Sequence, residues 1–148
     1  DLSIEPANLR RFYINYGTDK QRLTDVKQWG VVAWSSLLNA FYGSSNLNIS
    51  ATDVPNLGNV TSMYSMFAFC SNLNGPSNIN NWDTSKVTSM GYMFYLASVF
   101  NQNIGSWNTA NVTNMSFMFY NASAFNQNVA HLLKIYKKDE VVTKKVLK

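Results

Sequence analysis

Few side chains in this sequence are equipped to make or break bonds. His131 is the only histidine and Cys70 the only cysteine. A histidine serves as general base for a nucleophile held beside it. No Ser or Cys stands at motif spacing from His131, which reads as an exposed loop residue in the place that Ser106 holds one repeat earlier. One cysteine rules out an internal disulfide framework and a paired-cysteine metal knuckle. Asp53 and Asp83 are the only acids between residues 28 and 133. Two carboxylates act as acid and base when a fold faces them across a cleft, but these two fall in loops and nothing in their spacing brings them together. Gly-rich phosphate loops and metal-spaced His/Asp clusters are missing from the sequence. The expectation is a protein that is not an enzyme, with no catalytic residue, no metal and no cofactor.

Binding chemistry is better supplied. Tyr64, Tyr92, Tyr95, Phe117 and Tyr120 lie between apolar positions that turn inward. An exposed row of such rings would bind a glycan or a partner protein, and the competing use is packing against the next unit of the fold. Met63, Met66, Met90, Met93, Met115 and Met118 form a second stripe, which suits a soft binding groove but is more simply the core. Asn-x-Ser/Thr sites such as Asn111-Val112-Thr113 arise from repetition and carry no separate message. The last fifteen residues hold six Lys against Asp139 and Glu140. They lack the interleaved aromatics of a single-strand nucleic-acid binder and read as a solvated end.

These side chains need a scaffold, and the composition describes one. The chain has 148 residues, 46% of them apolar, with twenty Asn and twenty-one aromatic residues. That is the length of one ordinary domain. Charged residues make up 14%, well below the roughly 25% of an average globular chain, which excludes a disordered acidic tail and a coiled coil. The formal charge of +4 belongs to the tail, since residues 28–133 hold only Lys86 against Asp53 and Asp83. So uncharged a middle cannot grip phosphates. No apolar run reaches the roughly 18 residues of a membrane span. The opening residues, Asp1-Leu2-Ser3-Ile4-Glu5, carry no basic-then-apolar leader, so any export signal is expected to have been removed or not included.

The strongest signal is internal repetition. Val87-Thr88-Ser89-Met90 with Met93-Phe94 returns as Val112-Thr113-Asn114-Met115 with Met118-Phe119, a shift of 25. Phe100-Asn101-Gln102-Asn103-Ile104 returns in the same way as Phe125-Asn126-Gln127-Asn128-Val129. An earlier copy reads Val60-Thr61-Ser62-Met63, Met66-Phe67, Leu73, Ile79 and Trp82, with Gly75-Pro76 in a two-residue insertion. A worn first copy reads Trp34, Leu37, Ala40-Phe41 and Leu47. Trp29, Pro55, Trp82 and Trp107 each stand five residues ahead of a copy, and Leu132 stands where the next is due.

Val112, Met115, Met118 and Phe119 trace one stripe of a helix about two turns long. The alternation over 125–129 suits a short strand. Neither is stable alone, but stacked units complete one another's core. Asn101 with Asn126, and Asn103 with Asn128, would form amide ladders that satisfy turn groups. The expected fold is an α/β right-handed solenoid of leucine-rich-repeat type, with a short parallel sheet on one face and short helices on the other. Residues 1–25 read as an N-terminal cap with a strand near 11–14, residues 26–132 as about four repeat units, and residues 133–148 as a Lys-rich β-hairpin.

The unit Val-Thr-x-Met-x-x-Met-Phe, followed by Ala/Cys-Ser-x-Phe/Leu-Asn and then Ile-x-x-Trp, resembles the BspA-like leucine-rich repeats of bacterial surface proteins. It is most similar to the 25-residue variant catalogued as a domain of unknown function in mycoplasmal lipoproteins. Over residues 26–132 the resemblance implies a helical side at 60–67 and a strand side from Asn72 onward. Cys70, with Ala97 and Ala122 at equivalent places, becomes a small packed residue. It also implies an extracellular or outer-surface protein used for adhesion or protein contacts. The terminal Val-Val-Thr-Lys-Lys-Val-Leu-Lys resembles the last strand of a type IX secretion sorting domain, which implies cargo recognised by outer-membrane export machinery. The remaining alternative is a carbohydrate-binding module using Tyr92 and Tyr95.

Overall fold

The structure is a computed structural model, and it describes residues 8–132. The hairpin and sorting-type tail expected over 133–148 lie outside the described residues, as does the start of the expected cap.

Regular elements are few. A 3-10 turn at Lys20–Arg22 precedes strand β1 (Asp25–Val26), which pairs in parallel with β2 (Asn48–Ile49). A second 3-10 turn covers Ile79–Asn81. Most of the order comes from a backbone ladder between successive repeats. Leu37, Asn39, Phe41 and Gly43 donate their N–H groups to the carbonyls of Ser62, Tyr64, Met66 and Ala68. Met63, Ser65, Phe67 and Phe69 donate to Ser89, Gly91, Met93 and Tyr95. Met90, Tyr92, Phe94 and Leu96 donate in turn to Asn114, Ser116, Met118 and Tyr120, and every N···O distance in the ladder is 2.8–3.0 Å. The accepting Ser62 carbonyl and the donating Met63 N–H belong to one peptide group. The bonds therefore link peptides head to tail, with their dipoles aligned as in a helix.

The intervening N–H groups stay within their own unit. Met66 donates to Met63, Ala68 to Ser65 and Cys70 to Phe67, at 3.1–3.3 Å, and the same pattern returns from Met93 and from Met118. Overlapping turns of this kind need a left-handed residue every fourth position. Ser65, Phe69, Tyr92, Leu96, Phe117 and Asn121 supply it, with φ between 52° and 61°. Such residues are strained, and persist where surrounding bonds over-determine them.

The helices expected over 60–67, 87–94 and 112–119 are therefore not formed, and no α-helix occurs among the described residues. A left-handed residue every four positions breaks the 13-atom ring on which a helix propagates. The apolar spacing that suggested a helix is real. Met63 and Met66 are the first and fourth residues of a turn, and both point inward.

The strands expected over 100–104 and 125–129 are also missing, and parallel strand pairing in this part of the unit is confined to β1 and β2. Asparagine side chains take over the backbone N–H groups there. Asn101 donates its N–H to Asn74 Oδ1 at 2.9 Å, and Asn126 donates to Asn101 Oδ1 at 2.9 Å. Asn103 and Asn128 do otherwise, closing turns in their own units by accepting from Gly105 and Ala130 at 2.8 and 3.1 Å. The strand expected near 11–14 is reduced to a bridge between Arg11 and Ser36, but Ile14, Asn15 and Tyr16 still donate to Ala40, Asn39 and Tyr42. The N-terminal segment thereby covers the first repeat.

The core runs along the repeats. Met63, Met66, Met90, Met93, Met115 and Met118 are buried. Phe41, Phe67, Phe94 and Phe119 stack in sequence with centroids 5.5–5.7 Å apart, and Phe100 stacks on Phe125 at 5.7 Å. Cys70 is fully buried and its thiol donates to the Phe41 carbonyl at 3.1 Å. Burial pushes that thiol up, which makes it a poor nucleophile.

Candidate functional site

The ladder decides where the aromatic side chains go. Inward positions hold Met and Phe, and the residues between them project from the outer side of each unit. Tyr64, Tyr92 and Phe117 form one column, with centroids 5.5 and 5.1 Å apart. Gly91 makes room for it, since a Cβ there would lie 3.0 Å from Tyr64 Cε2. Tyr95 and Tyr120 stack at 5.1 Å in a second column, which joins the first through Tyr92–Tyr95 at 5.3 Å and Phe117–Tyr120 at 5.9 Å. All five candidate rings are half-buried. Each ring covers its neighbour and still presents surface to solvent, so the two uses weighed for them, packing and exposure, coexist.

Three further rings extend the second column. Phe69 packs on Tyr95 at 5.4 Å, Tyr42 on Phe69 at 5.6 Å, and Tyr16 on Tyr42 at 5.1 Å. Sequence reasoning missed them, although a signal existed. Tyr42 holds the same repeat position as Tyr95 and Tyr120. Ala68 interrupts that series, and Phe69, one place further on, fills the gap. Burial first, then the neighbouring Tyr92 and Tyr42, hold the Tyr64 phenol above the usual tyrosine value.

The titratable groups have other occupations. Asp53 accepts from the Trp29 and Gly30 N–H groups at 2.8–3.1 Å. Asp83 accepts from the Ser85 N–H at 3.0 Å, and hydrogen bonds from Ser85 lower its carboxyl. Both carboxylates tie off loops. His131 is half-buried rather than exposed, and its Nε2 is enclosed without a partner among the described residues. It belongs to a turn packed at the edge of the core, close to buried Val129 and Leu132 in the chain. Among the described residues, no three His, Cys, Asp or Glu side chains gather where they could hold a metal ion. No described helix is long and apolar enough to cross a membrane.

Comparison with known proteins adds a family. No curated protein and no solved structure matches the chain. A family match does cover residues 17–143, beginning inside the segment read as a cap and running past the last recognised repeat. On that match, the chain belongs to the family described as Mycoplasma protein of unknown function, DUF285.

Proposed function

We propose that the chain is a non-enzymatic repeat module of a surface protein, which binds a protein partner through its aromatic columns. The observation that carries the reading is the continuity of rings on the ladder side, from exposed Tyr16 through half-buried Tyr42, Phe69 and Tyr95 to Tyr120. Isolated surface aromatics are ordinary, whereas contiguous apolar patches mark contact sites. Rings already held by their neighbours lose little freedom on binding, which favours them as anchors.

Two further elements belong to this reading. The repeats stack as coils of a right-handed solenoid of leucine-rich-repeat type, supported by hydrogen bonds that join each unit to the next at the repeat spacing. Display at the outer cell surface, with an adhesive role, draws on the resemblance to BspA-like repeats and fits membership of a Mycoplasma family. Export through a type IX signal depends on residues 133–148, and nothing in the described residues favours it over a simple solvated end.

The test is binding of the purified chain to a panel of purified extracellular matrix proteins, with the Tyr92→Ser/Tyr95→Ser double variant as control. Saturable binding that falls about tenfold in the variant is expected for the loss of two aromatic anchors. Binding unchanged by the double substitution would remove the aromatic face from the proposal. Hydrolytic turnover of any substrate that follows the protein through purification would count against a non-enzymatic role.

A further inference from the structure

A groove of about 410 Å³ opens beside the N-terminal half of the longer aromatic column. Tyr16, Phe69 and Leu96 line its apolar side. Ser45, Ser71 and Ser98, which hold one position in three successive repeats, line its polar side. We propose that this groove binds an acidic pyranose of a surface glycan, with the sugar ring on Phe69, its hydroxyls on the serines and its carboxylate on Lys20. The inference rests on the surface role proposed above and adds a second ligand class to it.

The chemistry of the lining selects that ligand. Half-buried Phe69 offers the aromatic surface on which the C–H side of a pyranose packs, while the Tyr16 ring carries the Lys20 ammonium. The serines repeat once per unit, so they present a row of hydroxyls to successive hydroxyls of a saccharide. Ser98 donates to the Ser71 carbonyl at 3.1 Å and keeps its lone pairs for an incoming hydroxyl. The Ser45 and Ser71 hydroxyls bond to no other described residue.

Lys20 is the one charged residue of the lining. Its ammonium lies 4.4 Å from the Tyr16 ring centre and 3.4 Å from the Gly17 carbonyl, and the adjacent Asp19 is paired with Arg22 at 3.1 Å. A carboxylate reaching Lys20 would therefore gain a charge-assisted hydrogen bond without displacing an acid. Gly43 lets the groove form: a Cβ there would sit 2.9 Å from Lys20 Cδ and from Tyr16 Cε2. An extended peptide fits less well, because it needs open backbone donors and the Gly43 and Phe69 N–H groups already serve the ladder. A nucleic acid needs more than one cation.

The experiment is calorimetric titration of the full chain with a hyaluronan tetrasaccharide and with the same tetrasaccharide after reduction of its carboxyl groups. Saturable binding is expected, weakened about fivefold by carboxyl reduction, as one charge-assisted contact implies. Lys20→Gln should bind both sugars equally weakly, while Ser71→Ala and Phe69→Leu weaken both; thermal unfolding checks that each variant is folded. No binding by the folded chain overturns the inference, as does binding indifferent to Lys20→Gln. Binding that survives Phe69→Leu and Ser71→Ala but vanishes in salt would assign the sugar to the Lys-rich end, and also overturns it. Failure with the tetrasaccharide alongside intact matrix-protein binding sinks this inference alone. Failure of both assays removes the surface reading as well.

Discussion

Residues 62–70 and residues 100–105 lie in equivalent repeats, yet they join their neighbours by different groups. In the first stretch, peptide bonds to peptide, from Met63 to Ser89 and onward from Met90 to Asn114. In the second, asparagine side chains reach across, as Asn101 does to Asn126 and to the Gln127 side chain. The peptide ladder tolerates any outward side chain, because each residue brings the same donor and acceptor. Buried Ser65 and half-buried Tyr92 and Phe117 thus occupy one left-handed position in successive repeats. The asparagine side has no such freedom, since its bonds depend on residue identity. The ladder side can therefore change its side chains without losing its bonds to the next unit, and the asparagine side cannot.

Substitutions can break or sharpen that contrast. Phe94→Ala strikes the core that both sides share, removing a fully buried ring stacked on Phe67, Phe100 and Phe119. A loss of about 3–5 kcal/mol is expected in urea unfolding. Asn101→Ala removes the acceptor of Asn126 and Gln127 at an exposed site, at a cost of about 0.5–1.5 kcal/mol, and Asn101→Asp, which keeps an acceptor oxygen, should recover most of it. A neutral Asn101→Ala would mean that these amide bonds merely decorate the structure. On the ladder side the sign reverses. Ser65 has φ 52°, and Ser65→Gly, which relieves that strain at some cost in unfolded-chain entropy, should raise stability by about 0.5–1 kcal/mol in the same measurement.

The smallest effect concerns Asp83, whose carboxyl is lowered by hydrogen bonds from Ser85. A carboxyl with a folded value below its unfolded one stabilises the fold above the unfolded value, roughly pH 4, and that contribution disappears as pH falls through the folded value. Asp83→Ala should therefore unfold slightly below the wild-type temperature at pH 7, and the gap should close in strong acid. A gap that is the same at both pH values would leave the turn shape, rather than the charge, as the source of the effect.

Much of the candidate face was legible. Tyr64, Tyr92, Tyr95, Phe117 and Tyr120 stand in the sequence between inward positions, and the structure gathers them into two joined columns. Tyr42 and Phe69 were not found, because Ala68 breaks the series and a ring one residue away replaces it. That substitution lies in space, outside the register. The groove at Lys20 was equally hidden, since it joins residues from four separate stretches of the chain.

Spacing alone determined which residues are inside. Met63, Met90 and Met115 recur in step, and Cys70, Ala97 and Ala122 fill one small site, because a repeated apolar pattern turns the same side inward whatever local conformation carries it. Only the tertiary structure decided that conformation. An apolar residue every third or fourth position suits a helix and a chain of turns equally well. The choice depends on where each N–H finds its carbonyl. Here that carbonyl lies in the next repeat, some twenty-five residues away, where no local preference can reach it.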